Sequence, residues 1–290
     1  MILDCPALNH SKPYSFERFF DREIDLMLRR SDPDADRQIG VENVLQRARM
    51  VNRGTIGSMC EKLLFPGSGL EGLEHLEELA ARAERGEPGL VLAWHTSNMD
   101  VPNLYTLLAR QGRSELFDRL VFLAGRKLNE ESAVAKVVSE AFPRLVVSPP
   151  SYFRAHRDDA RALADARAVN RAALRKARGL LSEGRMLFLF PAATRYRPDA
   201  PETGRALSQV DGYLRMCRNF VVLNIRGNTL PPVTGAKMVT EEVCPDVVRH
   251  IVGPVCSAAD FRREVLSAHG DLPEPRQAVA DAVMRRIHAL

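Results

Sequence analysis

Residues 89–102 read GLVLAWHTSNMDVP, an apolar run that passes directly into polar residues and then into a predicted helix. The run at 90–94 has no alternating polar positions, which is typical of a strand covered on both faces. Four similar runs follow along the chain, with a helical pattern before each: 120–124, 145–148, 186–190 and 220–225. Strands that alternate with helices predict an α/β fold with a mostly parallel sheet flanked by helices.

The segments between and around these strands have helical periodicity. Helices are predicted at 71–86, 100–111, 130–141, 158–183, 206–217 and 275–290, and a Ser257–Asp260 capping box predicts one more. The first 65 residues show apolar positions at helical spacing, over 14–30 and 41–51, and no strand-like run. Since Phe65-Pro66-Gly67 breaks the pattern, we expect a small all-helical N-terminal domain at 1–66 and an α/β domain at 67–290.

Composition excludes several classes of protein. The 290-residue chain is 45% hydrophobic and carries a formal net charge of +4, which is typical of a soluble globular protein and compatible with an anionic partner. No apolar run approaches the roughly 20 residues of a membrane span, and the start lacks a secretory pattern, so we expect a cytoplasmic location. Five cysteines without a C-x-x-C pair, and histidines without metal-ligand spacing, predict neither a disulfide framework nor a metal site.

Two further patterns have less specific interpretations. Residues 67–72 spell G-x-G-x-x-G, but the segment before them is short, charged and ends in proline, which favours an interdomain turn over a nucleotide-binding loop. Residues 154–178 contain seven arginines mixed with aspartates. They form either a solvated helix face or a docking surface for an acidic protein or an anionic lipid. Few aromatic residues accompany them, so nucleic acid is not an expected partner.

The candidate catalytic residues follow the first strand. His95 and Asp100 lie five positions apart across a strand-to-helix turn. If the carboxylate of Asp100 accepts a hydrogen bond from one ring nitrogen, the other nitrogen is free to act as a general base. The alternative is a helix N-cap beside a structural histidine. The carboxyl ends of parallel strands are where open α/β sheets place their sites, which favours the catalytic interpretation.

A second candidate group follows the strand at 186–190. There the chain continues PAATRYRP, with Arg195 and Arg197 separated by one residue. Planar guanidinium groups suit two-pronged recognition of phosphate, and the small residues at 192 and 193 allow backbone amides to approach a ligand. Arginines on a solvated loop are the alternative.

Together these two blocks resemble a known family. His95-Thr-Ser-Asn-Met-Asp100 is similar to the H-x-S-x-x-D block of the glycerolipid acyltransferases, and Phe190-Pro-Ala-Ala-Thr-Arg195 resembles their F-P-E-G-T-R block. Further segments resemble the soluble, chloroplast-type glycerol-3-phosphate acyltransferases, which join a helical N-terminal domain to an α/β domain. These segments are FLAGR at 122–126, RYRP at 195–198 and IVGP at 251–254. The resemblance covers most of residues 70–255.

The resemblance implies a role for each candidate residue. His95 would be the general base, Asp100 would orient it, and Arg195 and Arg197 would hold the phosphate of the acceptor. The implied substrates are glycerol 3-phosphate and an acyl thioester of acyl carrier protein or coenzyme A, with no metal and no bound cofactor. Peripheral contact with an anionic membrane surface is also expected, from the arginines at 154–178 and the absence of membrane spans.

This chain departs from the family pattern at two places. Ala192 and Ala193 replace the glutamate and glycine of the second block, and residues 147–152 read VSPPSY where the subgroup places a Lys-His pair that helps to hold phosphate. Arg126, Lys127, Arg154 and His156 are candidates to replace that pair. The expected function is therefore glycerol-3-phosphate acylation. The alternatives are another acceptor, such as lysophosphatidate, and a non-catalytic lipid- or carrier-binding relative.

Overall fold

The computed structural model describes residues 14–32, 38–130, 132–268 and 273–290. Residues 1–13, which include Cys5 and the start of the chain where the sequence lacks a secretory pattern, lie outside these ranges. The strands are β1 (Leu45–Gln46), β2 (Gly69–Glu71), β3 (Gly89–Ala93), β4 (Leu120–Gly125), β5 (Arg144–Val147), β6 (Met186–Leu189), β7 (Asn219–Arg226), β8 (Arg249–Val252) and β9 (Cys256–Ser257).

The helices are α1 (Phe16–Phe19), α2 (Asp21–Arg29), α3 (Arg53–Leu63), α4 (Leu73–Glu84), α5 (Asp100–Arg110), α6 (Ser114–Asp118), α7 (Lys127–Glu130), α8 (Ala133–Ser139), α9 (Pro150–Ala155), α10 (Ala160–Ser182), α11 (Val210–Leu214), α12 (Ala258–Ala268) and α13 (Pro275–His288). Short 3₁₀ turns occur at Met50–Asn52, Pro201–Gly204 and Met238–Thr240. No helix in the described ranges is both long and apolar enough to cross a membrane.

The strands form one mixed sheet in the order β1-β5-β4-β6-β3-β7-β8-β2, with β9 paired to β7. Strands β5, β4, β6, β3 and β7 run parallel to their neighbours within that group, as does β2 beside β8. Strands β1, β8 and β9 join it in antiparallel pairing. The predicted α/β fold with a mostly parallel sheet flanked by helices is thus confirmed.

The central strand β3 is buried at all five positions because helices cover both faces of the sheet. Its side chains alternate between two hydrophobic cores, as the pleat of a strand requires. Val91 and Ala93 belong to the core that includes residues of α3, α4 and α5. Leu90 and Leu92 belong to the core that includes residues of α10 and α13. The carboxyl ends of β3 and β6 therefore meet at one edge of a rigid, closely packed layer.

The N-terminal helices are present as predicted, and they pack on the sheet layer. Phe16, Phe20 and Met27 share one core with Phe117 and Val138 of the α/β region. The expectation of helix throughout this segment is wrong at 41–51. There the backbone of β1 pairs antiparallel with β5 and extends the sheet edge, and Val44 and Leu45 pack against the core that includes α10.

Residues 67–72 differ from the expected interdomain turn. Gly69–Glu71 form β2, which pairs parallel with β8. Gly72 has φ of 69°, and a Cβ atom there would lie 2.2 Å from the carbonyl oxygen of Val252, so this glycine permits a close approach of two chain segments. Helix α3, not a strand, leads into Gly67, and the context of a dinucleotide-binding loop is therefore missing.

Candidate active site

The turn between β3 and α5 positions the first candidate pair. Trp94 N donates to Leu223 O at 2.9 Å, so the pairing of β3 with β7 extends to the residue before His95. The chain then turns, and α5 begins at Asp100. His95 Nδ1 and Asp100 Oδ2 lie 2.9 Å apart, as the five-residue spacing predicts.

Four hydrogen bonds hold the Asp100 carboxylate in one orientation. Its Oδ2 atom accepts from His95 Nδ1 and from the backbone nitrogens of Thr96 and Ser97, the latter two at 2.7 and 3.0 Å. Its Oδ1 atom accepts from Thr96 Oγ1 at 3.1 Å. Asp100 is 3% exposed and is the first residue of α5, where the helix dipole favours negative charge. The carboxylate is therefore well placed to orient an imidazole.

The two ring nitrogens of His95 differ in their partners. Because a carboxylate accepts at Nδ1, that nitrogen carries the hydrogen and Nε2 is left as the acceptor. The ring stacks on Phe190 with a centroid separation of 3.7 Å and an angle of 10° between planes. Its side chain is 19% exposed and lines a large cavity. This is the geometry of an oriented general base.

The backbone of the turn is held from a second direction by residues after β7. Ser97 Oγ donates to Leu230 O at 3.2 Å and accepts from Met99 N at 3.1 Å. Asn228 Nδ2 donates to Thr96 O at 2.8 Å. The sequence does not predict this contribution, because residues 228–230 lie far along the chain and carry no recognisable motif.

A cavity of about 1450 Å³ opens beside His95. One part of its wall is apolar and includes Phe122, Val138, Phe142 and Leu145. Another part carries positive charge, from Lys127, Arg144, Arg154, Arg178, Arg197, Arg215 and Arg276. The described residues that line the cavity include no aspartate or glutamate. The volume exceeds that of a typical small-ligand pocket, and the lining suits a substrate set that is both apolar and anionic.

Arg197 lies where the second motif predicts a phosphate contact. It lines the cavity, and its Nε atom has no hydrogen-bond partner among the described residues. Its Nη1 atom is 3.4 Å from Thr194 Oγ1, a weak contact at most. A partly buried guanidinium without a carboxylate partner is available to bind an anion.

Arg195 is placed differently from Arg197. Its Nη1 atom lies 2.6 Å from both carboxylate oxygens of Glu241, and it is not among the residues that line the cavity. Glu241 is fully buried. Sequence analysis missed this partner, since Glu241 lies 46 residues away in a segment with no motif.

The backbone after β6 is strained at one residue. Ala193, which stands at the glycine position of the family block, has φ of 55°. This is the left-handed region, which costs a residue with a Cβ atom about 1–2 kcal/mol. The strained residue lies in the same loop as both arginines.

Of the four residues considered as replacements for the Lys-His pair, two line the cavity and two lie elsewhere. Lys127 and Arg154 line the cavity. Arg126 instead donates to Asp165 and to the carbonyl of Ile39, on the wall of a separate surface cleft. His156 stacks on Tyr152 and is absent from the described cavity lining.

His250 in β8 is a buried titratable group that interacts electrostatically with Asp100 of the β3–α5 turn. It is fully buried, and neither ring nitrogen has a hydrogen-bond partner among the described residues. Burial lowers the pKa of His250 to about 4, although the negative charge of Asp100 acts in the opposite direction. The imidazole is therefore neutral at physiological pH.

The mixed α/β sheet, the oriented histidine and the apolar, cationic cavity are together typical of a group-transfer enzyme. The family model for Acyltransferase matches residues 70–257, more than half of the chain. The chain therefore belongs to the acyltransferase family. Among curated proteins, no sequence matches it.

Proposed function

We propose that the protein is a glycerol-3-phosphate 1-O-acyltransferase, which transfers a fatty acyl group from an acyl carrier protein or coenzyme A thioester to the sn-1 hydroxyl in the first step of phospholipid synthesis. One observation carries the proposal. The His95–Asp100 pair opens onto a cavity whose wall combines apolar and positively charged side chains and includes, in the described residues, no carboxylate.

The chemical step uses the geometry of His95 directly. Nε2 accepts the proton of the acceptor hydroxyl as its oxygen attacks the thioester carbonyl, and Asp100 stabilises the imidazolium that forms. The carbon–sulfur bond then breaks, and the proton passes from His95 to the departing thiolate. An ester and a thiol are the products, and the histidine is returned to its starting state.

The cavity supports a division between the two substrates. The apolar wall at Phe122, Val138, Phe142 and Leu145 suits a fatty acyl chain. Arg197 suits the phosphate of the acceptor, because a guanidinium binds a phosphate through two parallel hydrogen bonds. When both substrates are bound, the hydroxyl is held beside the thioester carbonyl, so the reaction needs no further encounter between them. This substantially lowers the activation free energy of acyl transfer.

A panel of acceptors tests the proposal. The purified protein is incubated with palmitoyl-coenzyme A or palmitoyl-acyl carrier protein, and thiol release is followed with glycerol 3-phosphate, glycerol, lysophosphatidate and no acceptor. We expect release that depends on glycerol 3-phosphate and is far weaker with glycerol, which lacks the phosphate. Equal rates with both alcohols would contradict a phosphate site at Arg197.

Lysophosphatidate is included because the loop at 147–152 lacks the Lys-His pair of the soluble subgroup. Faster release with lysophosphatidate than with glycerol 3-phosphate would assign the enzyme to the next acylation. Binding of substrates without any thiol release would instead indicate a non-catalytic relative.

Exposed arginines on α10 support a further part of the proposal, reversible contact with an acidic partner or membrane. None of the five arginines of α10 forms an ion pair within the described residues: Arg161, Arg167, Arg171, Arg175 and Arg178. Arg178 also lines the cavity that receives the substrates. Such a surface attracts an anionic carrier protein or an anionic bilayer.

Cosedimentation with phosphatidylglycerol vesicles and pull-down with acyl carrier protein, each over a salt series, measure this contact. Binding should weaken strongly between 0.1 and 1 M salt, as the Debye length falls from about 10 to about 3 Å. Arg171→Glu/Arg175→Glu should weaken it further. Arg22→Glu/Arg30→Glu on the α2 side makes the same charge change and should not. Equal behaviour of the two variants would leave the α10 arginines as a solvated face.

A further inference from the structure

Arg195 and Glu241 form a buried ion pair beside the cavity. Arg195 Nη1 lies 2.6 Å from both Oε1 and Oε2 of Glu241. The Glu241 side chain has no exposure to solvent, and the Arg195 side chain is 12% exposed. The described residues that line the cavity include Thr194 and Arg197 on either side but not Arg195. The Arg195 guanidinium is thus bonded to Glu241 and is not part of the described cavity wall.

Glu241 connects three separate parts of the molecule. Besides Arg195, its Oε2 atom lies 3.5 Å from Asn98 Nδ2, in the turn that carries His95. Its carbonyl oxygen accepts from Phe16 N at 2.7 Å, at the start of α1. The pair therefore lies between the loop after β6, the turn after β3 and the N-terminal segment.

Recruitment of Arg195 to a substrate phosphate would break this pair. Glu241 would then remain as a buried charge without its cation, which is strongly unfavourable in a protein interior. Arg197 has no such competing partner, and its Nε atom has no hydrogen-bond partner among the described residues. A phosphate that binds Arg195 would therefore have to displace the Glu241 carboxylate, whereas a phosphate that binds Arg197 would displace no carboxylate.

We infer that Arg195 and Glu241 are a positioning pair that fixes the loop at 193–197 against the His95 turn, and that Arg197, not Arg195, contacts the phosphate of the acceptor. The inference rests on the proposed function for the identity of that acceptor. It replaces the expectation that both arginines bind phosphate, and it assigns a role to Glu241, which lies outside both motifs.

Steady-state kinetics on three variants test the inference, with glycerol 3-phosphate and palmitoyl-coenzyme A each varied in turn. Arg195→Ala/Glu241→Ala removes both charges together, so that no buried charge is left alone. We expect its kcat to fall roughly 10- to 100-fold, because a loosely held loop misplaces the acceptor. Its acceptor KM should stay within about threefold of wild type.

The matched control is Arg197→Ala. We expect its acceptor KM to rise roughly 10- to 150-fold, the range for loss of a charged hydrogen bond. The third variant, Arg195→Lys, keeps a cation beside Glu241 and should recover most of the kcat that the double variant loses. A double variant with the acceptor KM of Arg197→Ala, or with unchanged kcat and KM, would overturn the inference.

If the double variant fails to fold, Glu241→Gln keeps the shape of the pair and frees the charge of Arg195. Its acceptor KM should not fall, since Arg195 does not face the cavity. A lower acceptor KM would mean that Arg195 reaches the phosphate, and the inference would be wrong.

Binding of inorganic phosphate, measured by calorimetry, separates this inference from the proposed function. Wild type and the Arg195/Glu241 variants should bind phosphate with similar affinity, and Arg197→Ala should bind at least tenfold more weakly. If glycerol 3-phosphate is not acylated but this pattern holds, the proposed function fails and the inference stands. If Arg197→Ala binds phosphate as wild type does, the inference fails whatever the acceptor.

Discussion

The turn after β3 and the loop after β6 end at the same edge of the sheet, and they are built in opposite ways. The partners of Asp100 in the β3 turn all lie within five residues of it. In the β6 loop, Arg195 reaches a partner 46 residues away, and Ala193 is in a strained conformation. The Asp100 carboxylate is thus oriented by neighbours in sequence, and only the backbone of its turn is held by the distant Asn228 and Leu230. The Arg195 guanidinium, in contrast, has its carboxylate partner in a distant segment.

The largest effect on activity is expected from His95→Ala, which removes the proposed general base from the turn after β3. Loss of a general base typically costs 10² to 10⁴ in kcat, or roughly 2.7 to 5.4 kcal/mol of transition-state stabilisation. Asp100→Asn should also reduce kcat, because an amide cannot accept all of the hydrogen bonds that the carboxylate receives. Turnover is measured with glycerol 3-phosphate at saturation, and circular dichroism serves as the control for folding. A folded His95→Ala protein with near-normal kcat would disprove the mechanism.

A smaller effect concerns the stability of the core behind the β3 turn. The folded-state pKa of His250 is about 4, and burial causes this depression below the unfolded value near 6.5. As the pH falls below 6.5, the unfolded chain binds the proton first, so stability is lost progressively down to pH 4. The expected loss at pH 5 is about 2 kcal/mol.

Urea denaturation at pH 7.5 and pH 5 measures that loss, with His250→Leu as the comparison. Other titrating groups contribute equally to both proteins, so the difference between the two isolates His250. If the leucine variant loses as much stability as wild type between these pH values, His250 is not the group responsible.

The smallest effect is expected in the loop after β6, where a substitution at Ala193 should change the free energy of unfolding. Ala193→Gly should relieve the left-handed conformation and raise the free energy of unfolding by up to about 1 kcal/mol, since the added freedom of the unfolded chain offsets part of the gain. Thermal denaturation provides the measurement. Ala192→Gly is the matched control: residue 192 is buried and has no positive φ, so the same change should destabilise the protein. Equal shifts for both variants would mean that strain at Ala193 has no measurable effect.

The same contrast explains what sequence could predict. Apolar runs without alternation predict the central strands correctly, because burial on both faces leaves a local signal. Strands β1 and β2 are only two and three residues long and are defined by their pairing partners, so no local pattern reveals them. The geometry of His95 and Asp100 follows from their spacing. The partner of Arg195 and the support from Asn228 depend on chain segments that meet only in three dimensions.

Phe190 connects the two regions, since it belongs to the β6 exit yet stacks on His95 at 3.7 Å. With one edge of the imidazole bonded to Asp100 and one face covered by Phe190, rotation of the ring about its Cβ–Cγ bond would break a hydrogen bond and a stacking contact together. The ring therefore loses little rotational entropy when the substrates bind, because that freedom is already restricted when the protein folds. The entropy cost of orienting the imidazole is therefore met once, when the protein folds, and does not recur in each catalytic cycle.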